Sequence, residues 1–293
     1  MRNSDTPSVL DAVVIGGGPA GLQAALTLGR MRYDTLLFDS GRYRNETVAH
    51  AHNLITNDGR APGALRASAR DELARYDTVA LRDDEVVAVT RRAGGFAVTS
   101  AGGAVSQARA LVLATGMRDD LPPIPGLAEA WGREVAQCPF CHGHELTGRP
   151  VGILGVEPHA GFMRGMLERI ASHLIVIAPD DLVRVEPVPA GLRLHLGDGT
   201  ARDVGGLFVA ATPRQAAPFA EQLGCRILPS GGVEIDELGR TSVPGVYAGG
   251  DLAHTAALPG PMVSIAAAIA AGQLAAASVV RDGAGAIIVA PPR

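Results

Sequence analysis

The chain has 293 residues, 47% of them apolar, enough for one large core or two moderate ones. A net charge of -4 without any basic run leaves no electrostatic footprint for nucleic acid, so no nucleic-acid partner is expected. All 26 basic residues are arginine, which excludes a phosphate-loop lysine, a Schiff-base lysine and a lysine base.

The opening stretch, Met1 to Leu10, is polar and lacks an apolar signal core, so a cytoplasmic protein is expected. Leu10 to Ile15 reads as a strand, Gly16 to Gly21 as a glycine turn, the residues to about Arg32 as a helix and Thr35 to Phe38 as a second strand. This is the opening βαβ half-unit of a dinucleotide-binding sheet. The turn, Gly16-Gly17-Gly18-Pro19-Ala20-Gly21, fits G-x-G-x-x-G. Its first glycine permits the tight turn, its second lets backbone N–H groups reach a pyrophosphate, and its third lets helix pack on strand. Asp39, closing the second strand, is placed to accept from a ribose hydroxyl. A polar loop from Asp39 to Gly59 carries His50 and His52, read as surface histidines with cofactor or substrate contact as the alternative. Then come a helical stretch from Pro62 to Arg75, two short antiparallel strands at Glu85 to Thr90 and Phe96 to Ser100, and a buried strand from Ala110 to Ala114 that ends at Thr115-Gly116.

Cys138-Pro139-Phe140-Cys141-His142-Gly143-His144-Glu145 is the most informative stretch. Two cysteines at this spacing close a disulfide in a turn or first helical turn, and a helix N-terminus or a protonated imidazole lowers the thiolate pKa. Three other readings compete. C-x-x-C-H is also the c-type haem attachment signature, but an export signal and a further axial ligand are missing. A zinc site on Cys138, Cys141 and His144 lacks a fourth ligand, so no metal is expected. Plain burial fits poorly with Pro139, Gly143 and the flanking charges. Cys225 reads as an inert core thiol.

A second βαβ candidate has a strand at Val151 to Leu154, a turn at Gly155, a helix from about Gly161 to Ser172 and a strand at Leu174 to Ile177. The strands Leu192 to Leu196 and Gly206 to Ala211 complete the second sheet in this reading. Val246 to Ala248 leads into Gly249-Gly250-Asp251. Met262 to Val280 barely reaches the length that spans a bilayer, is mostly alanine and is interrupted by Ser264, Gln273 and Ser278. A buried core helix is the expectation, with no membrane partner.

Together these motifs resemble low-molecular-weight thioredoxin reductase over nearly the whole chain. The likeness rests on Gly16 to Gly21, the loop with Asn53, Ala114-Thr115-Gly116, the cysteine pair, and Val243 to Asp251. It implies an α/β fold of two Rossmann-like three-layer dinucleotide-binding domains, the FAD domain split by an inserted central domain. The implied boundaries are 1-118, 119-238 and 239-293. FAD is the implied cofactor, held by Gly16, Gly18, Pro19, Ala20, Gly21, Asp39, Ser40, Asn53, Thr115, Gly116, Gly250, Asp251, Val263 and Ser264. Asp251 would bind its ribityl chain, and Val263 and Ser264 its pyrimidine end. A homodimer is implied by the same likeness.

The central domain departs from that pattern. Where such reductases carry Gly-x-Gly-x-x-Ala for the NADPH pyrophosphate, this chain reads Gly155-Val156-Glu157-Pro158-His159-Ala160. A carboxylate about 4 Å from a phosphate charge costs on the order of 4 kcal/mol at an effective dielectric of 20. That is roughly a thousandfold in affinity. Where an arginine patch would take the 2′-phosphate, the chain has Ala178-Pro179-Asp180-Asp181. His142 replaces the aspartate that acts as proton donor after the second cysteine. The combination resembles the dithiol oxidases that close disulfides in gliotoxin- and holomycin-type natural products, and it disfavours NADPH. The implied partners are a small-molecule or peptide dithiol and O2, with H2O2 as product. The implied catalytic set is Cys138, Cys141, His142 and His144, with Cys141 facing the flavin. The alternative is a disulfide reductase fed by NADPH or by a protein donor.

Overall fold

The computed structural model describes residues 9–285. The βαβ opening is β1 (Leu10–Ile15), α1 (Pro19–Arg30) and β2 (Thr35–Asp39), followed by α2 (Pro62–Leu73), β3 (Val79–Asp83), β4 (Val86–Arg92), β5 (Gly95–Ser100) and β6 (Val105–Leu113). These strands lie in the order β3-β2-β1-β6-β5-β4. β1, β2, β3 and β6 run parallel, β5 pairs antiparallel with β6, and β4 pairs antiparallel with β5. Alternate residues of β1 serve opposite faces of the sheet: Val13 and Ile15 join one core, Ala12 and Val14 the other. Burial on both faces explains why the strand is a continuous apolar run. β6 begins before its apolar run because its first residues bond to β5 and its last ones to a later strand. The half-exposed β3 has no counterpart among the expected elements, since its alternation is weak.

The chain continues through β7 (Met117–Asp120), α3 (Leu127–Ala130), β8 (Val135–Ala136), α4 (Pro139–His142), β9 (Pro150–Leu154), α5 (His159–Leu167), β10 (His173–Ile177), β11 (Leu182–Val188), β12 (Gly191–Leu196), β13 (Ala201–Val204) and β14 (Gly206–Val209). A parallel sheet of order β10-β9-β14-β8 stands apart from an antiparallel meander, β11-β12-β13. Of the two strands expected to complete the second sheet, the later one does so. The earlier one, β12, instead pairs with its sequence neighbours on both sides across short turns.

Last come β15 (Thr212–Gln215), α6 (Phe219–Gln222), β16 (Val233–Glu234), β17 (Val246–Ala248), β18 (Ala253–His254) and α7 (Ile265–Gly283). Two compact units result. The first holds the residues up to Arg44, Gly63–Arg118 and those from Arg214 on; the second holds Asn45–Pro62 and Asp119–Pro213. The expected inserted domain, 119-238, is therefore corrected at its far end. Phe219, Ala220, Leu223, Cys225 and Val233 pack into the first unit's core with Val86, Val89 and Phe96, which pulls the segment after Pro213 into that unit. The loop at 45–62 belongs to the second unit although the chain's first segment carries it.

α7 is long and apolar enough to cross a membrane by length and composition. Its buried residues, Ala268, Gly272, Ala275, Ala276, Ser278 and Val279, form a stripe of small side chains. Gly272 lets the helix approach α1 so closely that a Cβ there would lie 2.0 Å from the Ala20 carbonyl oxygen. The opposite face stays half-buried or exposed, so the helix is less enclosed than expected.

Candidate functional site

Parallel strands in register bring their carboxyl ends to one edge of the first sheet. Ile15 is level with Phe38 and Leu113, and Leu113 with Ala248. Gly16 to Gly21, Asp39-Ser40, Ala114-Thr115-Gly116 and Gly249-Gly250-Asp251 therefore gather there, where ligands of open α/β sheets bind. Gly16 sits at φ +120, and a Cβ would lie 2.2 Å from the Ala114 carbonyl oxygen. Gly18 caps α1 without a side-chain hydrogen bond and faces open space, and the first turn of the helix has no acidic residue. The bare N–H groups and positive dipole end of α1 thus point outward, as an anion requires.

Asp39 stands at the end of β2, its carboxylate engaged within the protein. It is 3% exposed, and its carboxylate accepts from the Gly41 N–H at 2.9 Å, the Tyr43 hydroxyl at 2.7 Å and the Arg70 guanidinium at 3.0 Å. Burial and the Asp39 carboxylate push the Tyr43 phenol up to about 12. Gly17 makes room for that carboxylate, since a Cβ would lie 2.0 Å from Asp39 Cγ. Asp251 takes the Arg44 guanidinium at 2.8 Å, both side chains being largely enclosed. Ser264 caps α7, its hydroxyl oxygen accepting from the Ala267 N–H at 3.0 Å, and Val263 beside it is exposed.

In the second unit Cys138 and Cys141 form a disulfide with Cα atoms 5.3 Å apart. Pro139 opens α4 with Cys138 as its cap, and the N–H groups of Cys141 and His142 donate back to the Cys138 carbonyl. Gly143 is required by crowding, because a Cβ would meet the Pro139 carbonyl oxygen at 2.5 Å. Both ring nitrogens of His142 are buried, with no hydrogen-bond partner among the described residues. Burial lowers its pKa, partly countered by Glu145, while His52 adds to the lowering. His144 is exposed, and its carbonyl accepts from Thr147. Asn53 lies in this unit, exposed, with φ +58.

The second parallel sheet repeats the βαβ geometry around β9, α5 and β10, with a different helix start. Glu157 folds its carboxylate onto α5, accepting the Gly161 N–H at 3.0 Å and facing Arg164 at 3.6 Å. Asp180 and Asp181 are exposed just beyond β10.

The family model described as pyridine nucleotide-disulphide oxidoreductase matches residues 10–177 and 163–275. The chain belongs to the pyridine nucleotide-disulphide oxidoreductase family. A probable thioredoxin reductase of Arthroderma benhamiae is 44% identical over 51% of this chain, an alignment that spans only 38% of that protein. The thioredoxin reductase sirT of Leptosphaeria maculans is 33% identical over 84% of this chain and 88% of its own length. Among solved structures, an oxidoreductase from Agrobacterium tumefaciens superposes with a TM-score of 0.85 at 32% identity, covering 95% of this chain and 99% of that one.

This pyridine nucleotide-disulphide oxidoreductase is a thioredoxin-reductase-like flavoprotein with FAD as its cofactor. The first unit fits that group: the uncapped α1 N-terminus and open Gly18 suit the pyrophosphate, and Gly250, at φ +74, brings the backbone before Asp251 close to the same edge. Sequence reasoning did not single out Gly17, Tyr43, Arg44 or Arg70. Gly17 lies inside the motif, but its partner Asp39 comes from another strand. The other three lie in a polar loop and on a half-exposed helix, where arginine is ordinary.

Proposed function

We propose that the protein is an FAD-dependent dithiol oxidase that closes a disulfide in a small-molecule or peptide dithiol. The observation that carries this reading is the contrast between the two helix starts. α1 presents a bare N-terminus to an anion, whereas the corresponding end of α5 is filled by the Glu157 carboxylate. A phosphate there would meet like charge in place of donors, and Asp180 and Asp181 repel a 2′-phosphate as well. Electrons then enter at the cysteines.

A substrate thiol gives its proton to His142, whose burial keeps it neutral and able to accept. The thiolate attacks Cys138 Sγ, the Cys138–Cys141 bond breaks, and Cys141 leaves as a thiolate. The second substrate thiol gives its proton to the Cys141 thiolate, attacks the substrate sulfur of the mixed disulfide and expels Cys138, which takes the first proton back from His142. The substrate is thereby oxidised by two electrons, which the cysteine pair holds as a dithiol. FAD, when bound, would supply the two-electron acceptor, with O2 as the terminal oxidant and H2O2 as the product of this reading. His144, exposed on the same segment, is the candidate to assist deprotonation.

Oxygen uptake with dithiothreitol tests the route. It is expected to vanish in Cys138→Ser and in Cys141→Ser with flavin retained, and uptake that survives in either variant refutes passage through the pair. The names of the relatives favour a second reading, a disulfide reductase fed by NADPH or a protein donor, with electrons leaving at Cys138. A homodimer and a cytoplasmic location belong to the proposal as well.

A further inference from the structure

Two short strands of the first unit set a serine against a histidine. β16 and β18 pair in parallel register, Val233 level with Ala253 and Glu234 with His254. Just before β16 the chain makes a tight turn: the Leu228 N–H donates to the Gly232 carbonyl, and the N–H of Gly231, a residue at φ +81, donates to the Leu228 carbonyl. Ser230 stands in this turn, half-buried, its hydroxyl oxygen accepting from the Gly232 N–H at 3.2 Å. His254 is 5% exposed, and both its ring nitrogens are engaged. Nδ1 lies 2.9 Å from the Thr255 carbonyl oxygen and Nε2 lies 2.6 Å from Ser230 Oγ. A carbonyl only accepts, so Nδ1 carries the proton, and the neutral ring turns the lone pair of Nε2 to the serine hydroxyl. Gly232 makes room for the ring, since a Cβ there would lie 2.9 Å from His254 Cδ2 and 3.1 Å from Nε2. His254 also lines a cavity of about 180 Å³ whose walls include Ile235, Leu258, Met262 and Leu274.

We propose that Ser230 and His254 form a second catalytic site, a serine–histidine dyad that hydrolyses carboxylic esters with a short apolar acyl group. It uses no residue of the disulfide chemistry and does not rest on the dithiol reading. A serine hydroxyl is a weak nucleophile until an adjacent base takes its proton, and the base works when a third group holds its tautomer. Here the Thr255 carbonyl is that third group. Ser230 Oγ attacks the ester carbonyl carbon while His254 Nε2 takes the hydroxyl proton. The bond to the alkoxy oxygen then breaks, and the leaving oxygen receives that proton. Water, deprotonated at the same nitrogen, attacks the acyl-serine, releases the carboxylic acid and restores the hydroxyl. No electrons are exchanged, and water is the only co-reactant. The size of the cavity selects the acyl group, because an apolar space of this order holds about one benzene-sized molecule.

The test follows release of p-nitrophenolate from p-nitrophenyl butyrate by the oxidised holoenzyme, with peptide mass spectrometry to locate the acyl group. Release above the rate in buffer is expected, with the butyryl group found on Ser230. In Ser230→Ala and in His254→Gln, compared at equal flavin content, it should fall by roughly a hundredfold, the lower end of what a positioned base contributes. The long-chain ester p-nitrophenyl laurate should be turned over much more slowly than the butyrate. Diisopropyl fluorophosphate should label Ser230 in the wild-type holoenzyme and lose that selectivity once the protein is unfolded in urea. This labelling needs no variant, so it decides the matter even where a substitution spoils folding. Release no faster than in buffer, undiminished release from Ser230→Ala, or acyl group and label on other residues alone would overturn the assignment. Each of those results leaves the dithiol reading as it stands.

Discussion

At the residue scale, the glycines of the first motif separate into those the fold needs and those a ligand needs. Gly16→Ala places a Cβ 2.2 Å from a carbonyl oxygen at a φ that side chains avoid. A loss of about 2–5 kcal/mol in thermal or denaturant unfolding is expected. Gly18→Ala meets no atom within 4 Å. It should unfold like the parent, yet purify with much less FAD, because the methyl group stands where phosphate approaches. His142 gives a second residue-scale prediction. Burial, its largest influence, lowers the folded pKa below the ordinary value of 6.5, so the unfolded chain takes up the proton first. The stability attached to this group is therefore complete above that value and is lost as pH falls through it toward the folded one. Melting temperatures measured from about pH 7 down to about pH 5 should fall less steeply in His142→Gln than in the parent. The cysteine pair and His142 were legible because three unusual residues stand side by side in sequence. The inward turn of Asp39 was not, because Tyr43 and Arg70 that hold it come from a loop and a separate helix.

At the scale of elements, one βαβ pattern written twice is given two different chemistries by its turn. Glu157→Ala removes the carboxylate that accepts from Gly161. It should cost about 0.5–1 kcal/mol as a lost helix-start contact. By itself it should leave NADPH reduction of the flavin weak, since Asp180 and Asp181 remain. Adding Arg at both aspartates is expected to raise that rate, read in an anaerobic assay. The contact between α1 and α7 is equally specific. Gly272→Leu should cost on the order of 3 kcal/mol and release FAD, because no side chain fits over Ala20. Strand and helix periods were legible wherever both faces or one stripe were buried, as in β1, α1, β9 and α7. They failed for β3, half-exposed with weak alternation, and for the partner choice of β12, which depends on turns rather than on apolar pattern.

For the whole molecule, two nucleotide-type units were legible from the repeated βαβ pattern, while the split of the first came only from the resemblance to thioredoxin reductase; the Val-Tyr-Ala strand does return to pair with β6. The far boundary of the insertion was not, because the segment from Arg214 to Leu238 has no break in composition and its allegiance is decided by where Phe219 and Val233 find a core. With the open helix start that suits FAD in one unit and the cysteine pair in the other, the proposed direction of electron flow turns on which donor the second unit accepts. The turn before α5 is closed by its own carboxylate, and beside the disulfide stands a histidine with both ring nitrogens buried, whose pKa burial lowers. The most direct measurement is an anaerobic stopped-flow competition in which dithiothreitol and NADPH are each mixed with the oxidised holoenzyme and flavin absorbance is followed. Rapid bleaching by the dithiol with little or none by NADPH is the predicted result. Faster bleaching by NADPH than by the dithiol would contradict it and make the protein a reductase.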